Sequence, residues 1–438
     1  MTKPRRVRRL WLSLAAAGLL AAAPAFPSGF QIMTQGPRAT GMGLAFTAVA
    51  DDPSAIFYNP AGIGFQDHFS VELGAGFITK LSGDFTGGNP FPGDGANGTQ
   101  HKTTFVTPNF YAVIPLTEDF KLGLGAFSQY GLGFRWNDPA PSYPWPGKFI
   151  SDNAVIQSVD LNPVLAWKLT PAVSIAGGAD YRMSRVQLER NNGLYDPLSN
   201  AVDDVARVKL NSSIWDNHAW GWNAALLIKP APTFSIGASY RSKIGIDYVG
   251  DANFTQIQTG NALIDALVLS RLPQGNQTVR THVEFPASLN LGMAYVIGKN
   301  TTISLEGDWT EWSQFSQLNI SFDNPAIPPL DRTTNWKDSW AYRMGVEQKF
   351  GSWAVRTGYY RDKTPQPDSD VGPILADNDR DGYTLGFGYD TPHWGFNVAD
   401  LYLHLHSRTI DSQPSTDNFY GHYSESLNIA IASFRFSF

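Results

Sequence analysis

The chain has 438 residues, a formal net charge of −6, 13% aromatic residues and no cysteine. That balance leaves no basic stripe for nucleic acid, and the missing thiols exclude a disulfide framework, a cysteine metal site and lipobox acylation. An exported chain of this size without disulfides needs a large dry core or a closed hydrogen-bonded sheet.

Arg5, Arg6, Arg8 and Arg9 precede the apolar run 10–23 and the small-residue site Ala23-Pro24-Ala25. This is the order of a signal peptide, expected over 1–25. The run is too short to cross a bilayer as a helix, and no stretch of about 20 apolar residues follows. Export without a helical anchor leaves a soluble secreted protein or a membrane barrel.

Residues 29–65 read GFQIMTQGPRATGMGLAFTAVADDPSAIFYNPAGIGF. Two-residue alternation fails here, and helical spacing breaks at Gly36-Pro37, Gly41, Gly43, Asp52-Pro53 and Asn59-Pro60. Irregular apolar backbone needs an enclosure that satisfies its N–H and C=O groups. The expectation is a plug over 26–67 held inside a barrel built by 68–438.

Beyond the plug, short segments alternate. Phe69, Val71, Leu73, Ala75 and Phe77 share one face, with Ser70, Glu72, Gly74 and Gly76 opposite; 158–169, 287–297 and 382–389 behave likewise. A soluble sandwich gives the same alternation. Fourteen strands are expected near 68–79, 105–117, 120–134, 154–170, 173–190, 219–230, 234–254, 277–297, 301–322, 335–350, 353–363, 381–390, 394–410 and 426–438. The connections between them alternate. Turns such as Thr170-Pro171 and Gly351-Ser352 are short; 80–104, 135–153, 191–218, 255–276, 323–334, 364–380 and 411–425 are long. That segregation distinguishes an outer-membrane barrel from a sandwich. The chain closes with Phe434, Phe436 and Phe438 on one face and Arg435 on the other.

Gly29-Phe30-Gln31, Ala50-Asp51-Asp52 and Asn59-Pro60-Ala61, followed by strands, resemble the start of the FadL-type family of outer-membrane transporters for long-chain fatty acids and other hydrophobic compounds (OMPP1/FadL/TodX). Residues 108–133, 308–315, 335–346 and 355–367 also resemble family segments. The resemblance implies an all-β fold, a 14-stranded antiparallel transmembrane β-barrel with an N-terminal hatch in its lumen. The hatch motif falls on Asn59, Pro60 and Ala61. A kinked third strand opening a lateral gap falls on Phe127, Ser128, Gln129, Tyr130 and Gly131. Read from the residues alone, glycine within that strand fits a bulge equally well as a plain strand packed on the plug. Ligand contacts are expected at Phe30, Ile32, Arg185, Lys337, Leu263 and Leu267, with Arg182 the alternative to Arg185 as a carboxylate partner. Leu263 and Leu267 fit one helical face in the outer segment 255–272.

Two metal-like patterns fail. The run Asp377-Asn378-Asp379-Arg380-Asp381-Gly382 imitates a calcium loop, but Gly388 stands where the closing Glu belongs. His404 and His406 share a face, read as lumenal, without a third ligand. No metal or cofactor is expected, and no G-x-S-x-G, H-E-x-x-H or phosphate loop marks an enzyme. The expected role is passive transport of hydrophobic molecules, most simply long-chain fatty acids, by a monomer in the outer membrane of a Gram-negative bacterium. Its partners would be those molecules, outer-membrane lipid and lipopolysaccharide, and the barrel-assembly machinery. Aromatic-hydrocarbon uptake is the alternative within the class; a porin or an outer-membrane hydrolase are the alternatives outside it.

Overall fold

Antiparallel pairing joins each wall strand to the next in the computed structural model, which describes residues 29–136, 145–196, 201–411 and 415–438. The expected leader, 1–25, lies outside the described residues. Fourteen staves follow in chain order: Ser70–Gly87, Thr104–Pro115, Phe120–Phe127 with Gly131–Arg135, Asn153–Thr170, Val173–Asp196, His218–Ala231, Phe234–Arg241 with Ile244–Gln256, Gln277–Phe285 with Ser288–Ile297, Thr301–Thr310 with Gln317–Phe322, Ser339–Phe350, Trp353–Asp362, Arg380–Asp390, Trp394–Leu405 and Gly421–Ser437. The last pairs with the first, from Ser70 opposite Ser437 to Gly87 opposite Gly421. The sheet is thereby closed end to end, as lipid requires.

Alternation fixes which face meets lipid. On the first stave Phe69, Leu73 and Phe77 are exposed, while Glu72 and Lys80 are buried. Outward aromatics cluster at two levels. Phe120–Trp167 and Trp353–Tyr389 lie at the short-turn end, Tyr181–Trp220 and Trp222–Tyr240 toward the other. These are the girdles of a membrane barrel.

Above the upper girdle the wall departs from expectation. The first stave runs on to Gly87, and Asn97–Thr99 returns against it. The segment 191–218, expected as a loop, instead prolongs the fifth stave to Asp196 and sends Ala201–Ser212 back along it to pair with the seventh. These extensions turn apolar side chains inward, where Val208, Leu210, Ala252, Val279 and Ile320 form a cluster of their own. Staves expected as single runs at 234–254, 277–297 and 301–322 are each broken once. Pro286, which has no N–H, and the turn Trp312–Gln314 mark two of the breaks, beside buried Phe285 and Trp312.

Residues 29–65 lie within the barrel as two short helices, α1 (Pro37–Gly41) and α2 (Ala55–Tyr58), and a 3-10 turn, Pro60–Phe65. Of residues 29–64 only Arg38 and Asp51 are not buried. Wall glycines make the room. A Cβ at Gly237 would lie 2.2 Å from the Thr47 carbonyl, one at Gly345 2.1 Å from that of Met42, and one at Gly358 2.2 Å from the Gly43 amide. Gly292 and Gly386 are less tight, with a Cβ at each lying 3.1 Å from the Ala48 amide and 2.9 Å from the Gly41 Cα. Polar tethers complete the fit. Arg38 grips Glu347 through Nε and a terminal nitrogen (2.8 and 2.9 Å), and Thr47 bonds Glu306 through its amide and hydroxyl (2.7 and 2.8 Å). The Asn59 side chain caps Ala61 and donates to the carbonyls of Thr47 and Leu226.

Gly43 has φ of 61°, and a Cβ there would lie 2.5 Å from the Met344 carbonyl. Gly43→Ala is expected to cost about 3 kcal/mol from overpacking and a left-handed backbone together. Gly177→Ala, where the nearest atom is 3.7 Å away, should be neutral. The temperature at which the compact gel band converts to the unfolded one measures both.

Candidate functional site

The third stave is interrupted. Phe120–Phe127 pairs with both neighbours, but Gly131–Arg135 pairs with the fourth stave alone. The facing residues 104–109 of the second stave pair only with the first. Among the described residues no ladder crosses this interval until Gln100 meets Trp136. At ~3.4 Å per residue the gap is about 17 Å tall. It opens beside Leu73 and Phe77, both exposed on the first stave's outer face, and so at the level of lipid.

From inside, the gap is covered by the start of the inner segment. The Ile32 amide donates to the Gln129 carbonyl (2.7 Å), and the Gly131 amide to that of Phe30 (2.8 Å). Phe30 is fully buried in a cage of rings, with centroids of Trp312 at 4.9 Å, Phe315 at 5.2 Å, Tyr130 at 5.8 Å, Phe285 at 5.9 Å and Trp336 at 6.2 Å. The contacts are tilted or edge-on, as aromatic quadrupoles prefer. Against this cage lies Arg182, 4.4 Å from the Tyr130 ring and bonded to Asp160 (2.8 Å) and Gln129 (2.7 Å).

Three spaces with largely apolar walls lie on the outer side of Phe30, the first two adjoining. An inner cavity of about 50 Å³ is walled by Phe30, Trp336, Val186, Leu188 and Leu318. An upper cavity of about 250 Å³ shares Leu188, Leu318, Arg332 and Ile374 with it. An outer groove of about 320 Å³ runs between the wall extensions and a loop helix, α3 (Ala262–Arg271), lined by Leu194, Phe254, Leu267 and Ile327. Two arginines reach the upper cavity. Arg332 is committed to Asp417, 2.9 Å away. Arg190 has no ion-pair partner among the described residues, and burial alone pushes its guanidinium below the ordinary arginine range.

The structure brings some of the expected residues together and separates others. Phe30 and Leu267 line these spaces. Ile32 is buried at the gap and lines no cavity. Phe127–Gly131 spans the interruption, and Asn59, Pro60 and Ala61 lie at the foot of the inner segment. Arg185 has the opposite parity to buried Arg182, Ser184 and Val186; it faces outward and bonds Gln157. Lys337 is exposed, while its neighbour Trp336 enters the cage. Leu263, 83% exposed, points away from the groove. Tyr402 and His404 face outward too, because Leu401, Leu403 and Leu405 take the lumen. Arg190 went unread although it shares Arg182's parity eight residues on, which placed it on the lumenal face.

The family described as outer membrane protein transport protein (OMPP1/FadL/TodX) matches residues 18–438. A long-chain fatty acid transport protein of Escherichia coli O6:H1 is 26% identical over 414 residues, covering 90% of each chain. Outer membrane protein P1 of Haemophilus influenzae (strain Rd) is 24% identical over 429 residues, covering 89% of each. Among solved structures, a Pseudomonas aeruginosa FadL homologue superposes with a TM-score of 0.78 at 20% identity, over 94% of this chain and all of the other. The Pseudomonas putida toluene transporter TodX gives 0.72 at 18% identity, with the same coverage.

Arg182→Met strands the buried Asp160 carboxylate and is expected to destabilise the barrel by about 3–5 kcal/mol. Arg185→Met removes an outward side chain and should cost under about 1 kcal/mol. Chemical denaturation in detergent, followed by tryptophan fluorescence, separates the two.

Proposed function

Because this chain belongs to the outer membrane protein transport protein family (OMPP1/FadL/TodX), we propose that it carries long-chain fatty acids passively across the outer membrane and releases them sideways into lipid. The observation that supports this reading best is the pair of cavities above Phe30, walled largely by apolar side chains, where Arg190 has no ion-pair partner among the described residues although Glu189, Asp331 and Asp417 line the same upper cavity. An alkyl chain gains about 0.8 kcal/mol for each methylene removed from water. A carboxylate taken into the same cleft is costly unless a cation meets it. Arg190 meets that need, whereas Arg332 is already engaged by Asp417.

In this reading residues 26–67 are the hatch and 68–438 the wall. A ligand collects in the outer groove along α3, descends with its carboxylate toward Arg190, and presses its tail into the cage. There it replaces Phe30. Withdrawal of residues 29–32 gives up two backbone hydrogen bonds, at about 0.5–1.5 kcal/mol each, which roughly two to four buried methylenes offset. The same withdrawal uncovers the gap in the third stave. Passage straight down is unfavourable, because the inner segment and its ion pairs fill the lumen below. No covalent step is involved.

Uptake of uncharged arenes is the second reading, favoured by the aromatic walls and small volume of the inner cavity. Arg190 separates the two. Arg190→Met is expected to weaken binding of a long-chain carboxylate about ten- to a hundredfold, the worth of a charge-assisted hydrogen bond. The corresponding fatty alcohol should bind unchanged. Equal effects on acid and alcohol would shift the assignment to neutral ligands. Cysteines replacing Gln31 and Tyr130, which are directly paired, should form a disulfide that stops uptake until reductant is added.

A further inference from the structure

A strand leaves its ladder only where other groups bond its backbone. Phe127 pairs with Asp160 and Gly131 with Gln157, so three residues, 128–130, oppose two on the fourth stave. This is a bulge with one extra residue. Its backbone is satisfied from two sides. The inner segment contributes Phe30, Ile32 and the Gln35 side chain, which donates to the Ser128 carbonyl. The fourth stave contributes side chains. The Ser158 hydroxyl accepts from the Tyr130 amide (3.1 Å) and donates to the Tyr130 carbonyl (2.9 Å). Asp160 Oδ2 accepts from the Gln129 amide (3.3 Å), while Arg182 holds Oδ1 (2.8 Å) and the Gln129 side chain (2.7 Å).

These two sets differ in permanence. In the transport reading above, on which this inference rests, residues 29–32 withdraw and their bonds are lost at the moment of passage. The edge formed by 104–109, in which Pro108 has no N–H, then offers its remaining unpaired groups to 128–130, which begin two residues beyond Phe110 opposite Ala126. Pairing there would zip the wall shut. The fourth-stave bonds oppose it, the Ser158 amide to the Tyr130 carbonyl (3.2 Å) as well as the side chains, because they are part of the wall and stay in place; Gln35, outside the withdrawn residues, also keeps its bond to the Ser128 carbonyl. Ser158 and Asp160 are buried, with 1% and 0% exposure, and therefore keep their bonds without competition from water. We infer that Ser158 and Asp160, steadied by Arg182, are positioning residues that hold the third stave off the second, so that the wall stays open while the inner segment is withdrawn.

The test uses the full-length barrel with cysteines replacing Pro108 and Ser128. Continuing the register of Phe110 and Ala126 would bring these two positions opposite each other only in a closed wall. The chain has no cysteine of its own, so any disulfide reports that closure. With excess fatty acid and a mild oxidant, the parent should cross-link slowly. Adding Ser158→Ala and Asp160→Asn should raise cross-linking at least tenfold and cut uptake comparably, with ligand capture retained. Ser158→Thr, which keeps the hydroxyl, should behave as the parent. Should the double change abolish the heat-modifiable band, Ser158→Ala alone decides. Cross-linking at the parent rate in folded barrels overturns the inference, whatever happens to uptake. Faster cross-linking with undiminished uptake supports the clamp and overturns the lateral route instead.

Discussion

Every backbone N–H and C=O in the hydrocarbon layer must find a partner within the protein, and the rest of this structure depends on that obligation. Closure of Ser70 against Ser437 meets it for the wall as a whole. A hole in such a wall is then a local problem in hydrogen bonding, because each freed group needs a substitute partner. The third stave solves it with one inserted residue, side chains from the neighbouring stave and a strand-like pairing with the inner segment. The hole and its cover are therefore one construction. Phe30 sits in its cage because the backbone on either side of Gln31 is paired to the interruption.

The lumen is divided by chemistry into two storeys. Around and below the inner segment, buried arginines are matched to acids: Arg241 to Asp180, Arg343 to Asp308, Arg356 to Glu347. A polar cavity of about 290 Å³, lined by Arg38, Asp51, Glu72, Asp390 and Arg435, opens at the short-turn end. Above Phe30 the lining is mostly leucine, isoleucine, valine and aromatic rings, with Glu189, Arg190, Asp331, Arg332 and Asp417 around the upper cavity. An alkyl chain is solvated in the upper storey and excluded from the lower one by the desolvation of paired charges. The boundary coincides with the gap, so the geometry of the wall and the polarity of its contents agree on where an apolar path ends.

Most of the wall was legible in the sequence. Strict alternation on the first, fourth and twelfth staves gave both the strands and the lipid face, since lipid demands apolar residues outside and the inner segment tolerates small or polar ones inside. That rule inverts above the girdle, where water lies outside and the apolar cleft inside. Arg185 and Lys337 were carried to the pocket by the resemblance and His404 was read as lumenal, yet none of the three lines the cavities above Phe30. The extensions over 191–196 and 201–212 were missed because the whole of 191–218 read as one long outer loop. The resemblance located the kink, but the fourth-stave side chains that complete it carry no local signature. Their role depends on a register shift that appears only when two strands are laid together.

The glycines facing the inner segment have a consequence for biogenesis. Five staves, the seventh, eighth, tenth, eleventh and twelfth, each present a bare patch of backbone to residues 41–48, with little room for any side chain. Filler and cylinder are thus moulded to each other around nearly half a turn, and a finished cylinder offers no clearance for threading. The filler is translated first and the closing stave last, so the seam between Ser70 and Ser437 is the final act, performed around an occupied centre. These contacts are distant in sequence, with Gly43 bonded to Thr384, which makes closure a slow, late event. What remains movable afterwards is the part that lies outside the mould: the few residues before Gly36, which are also the ones that cover the gap.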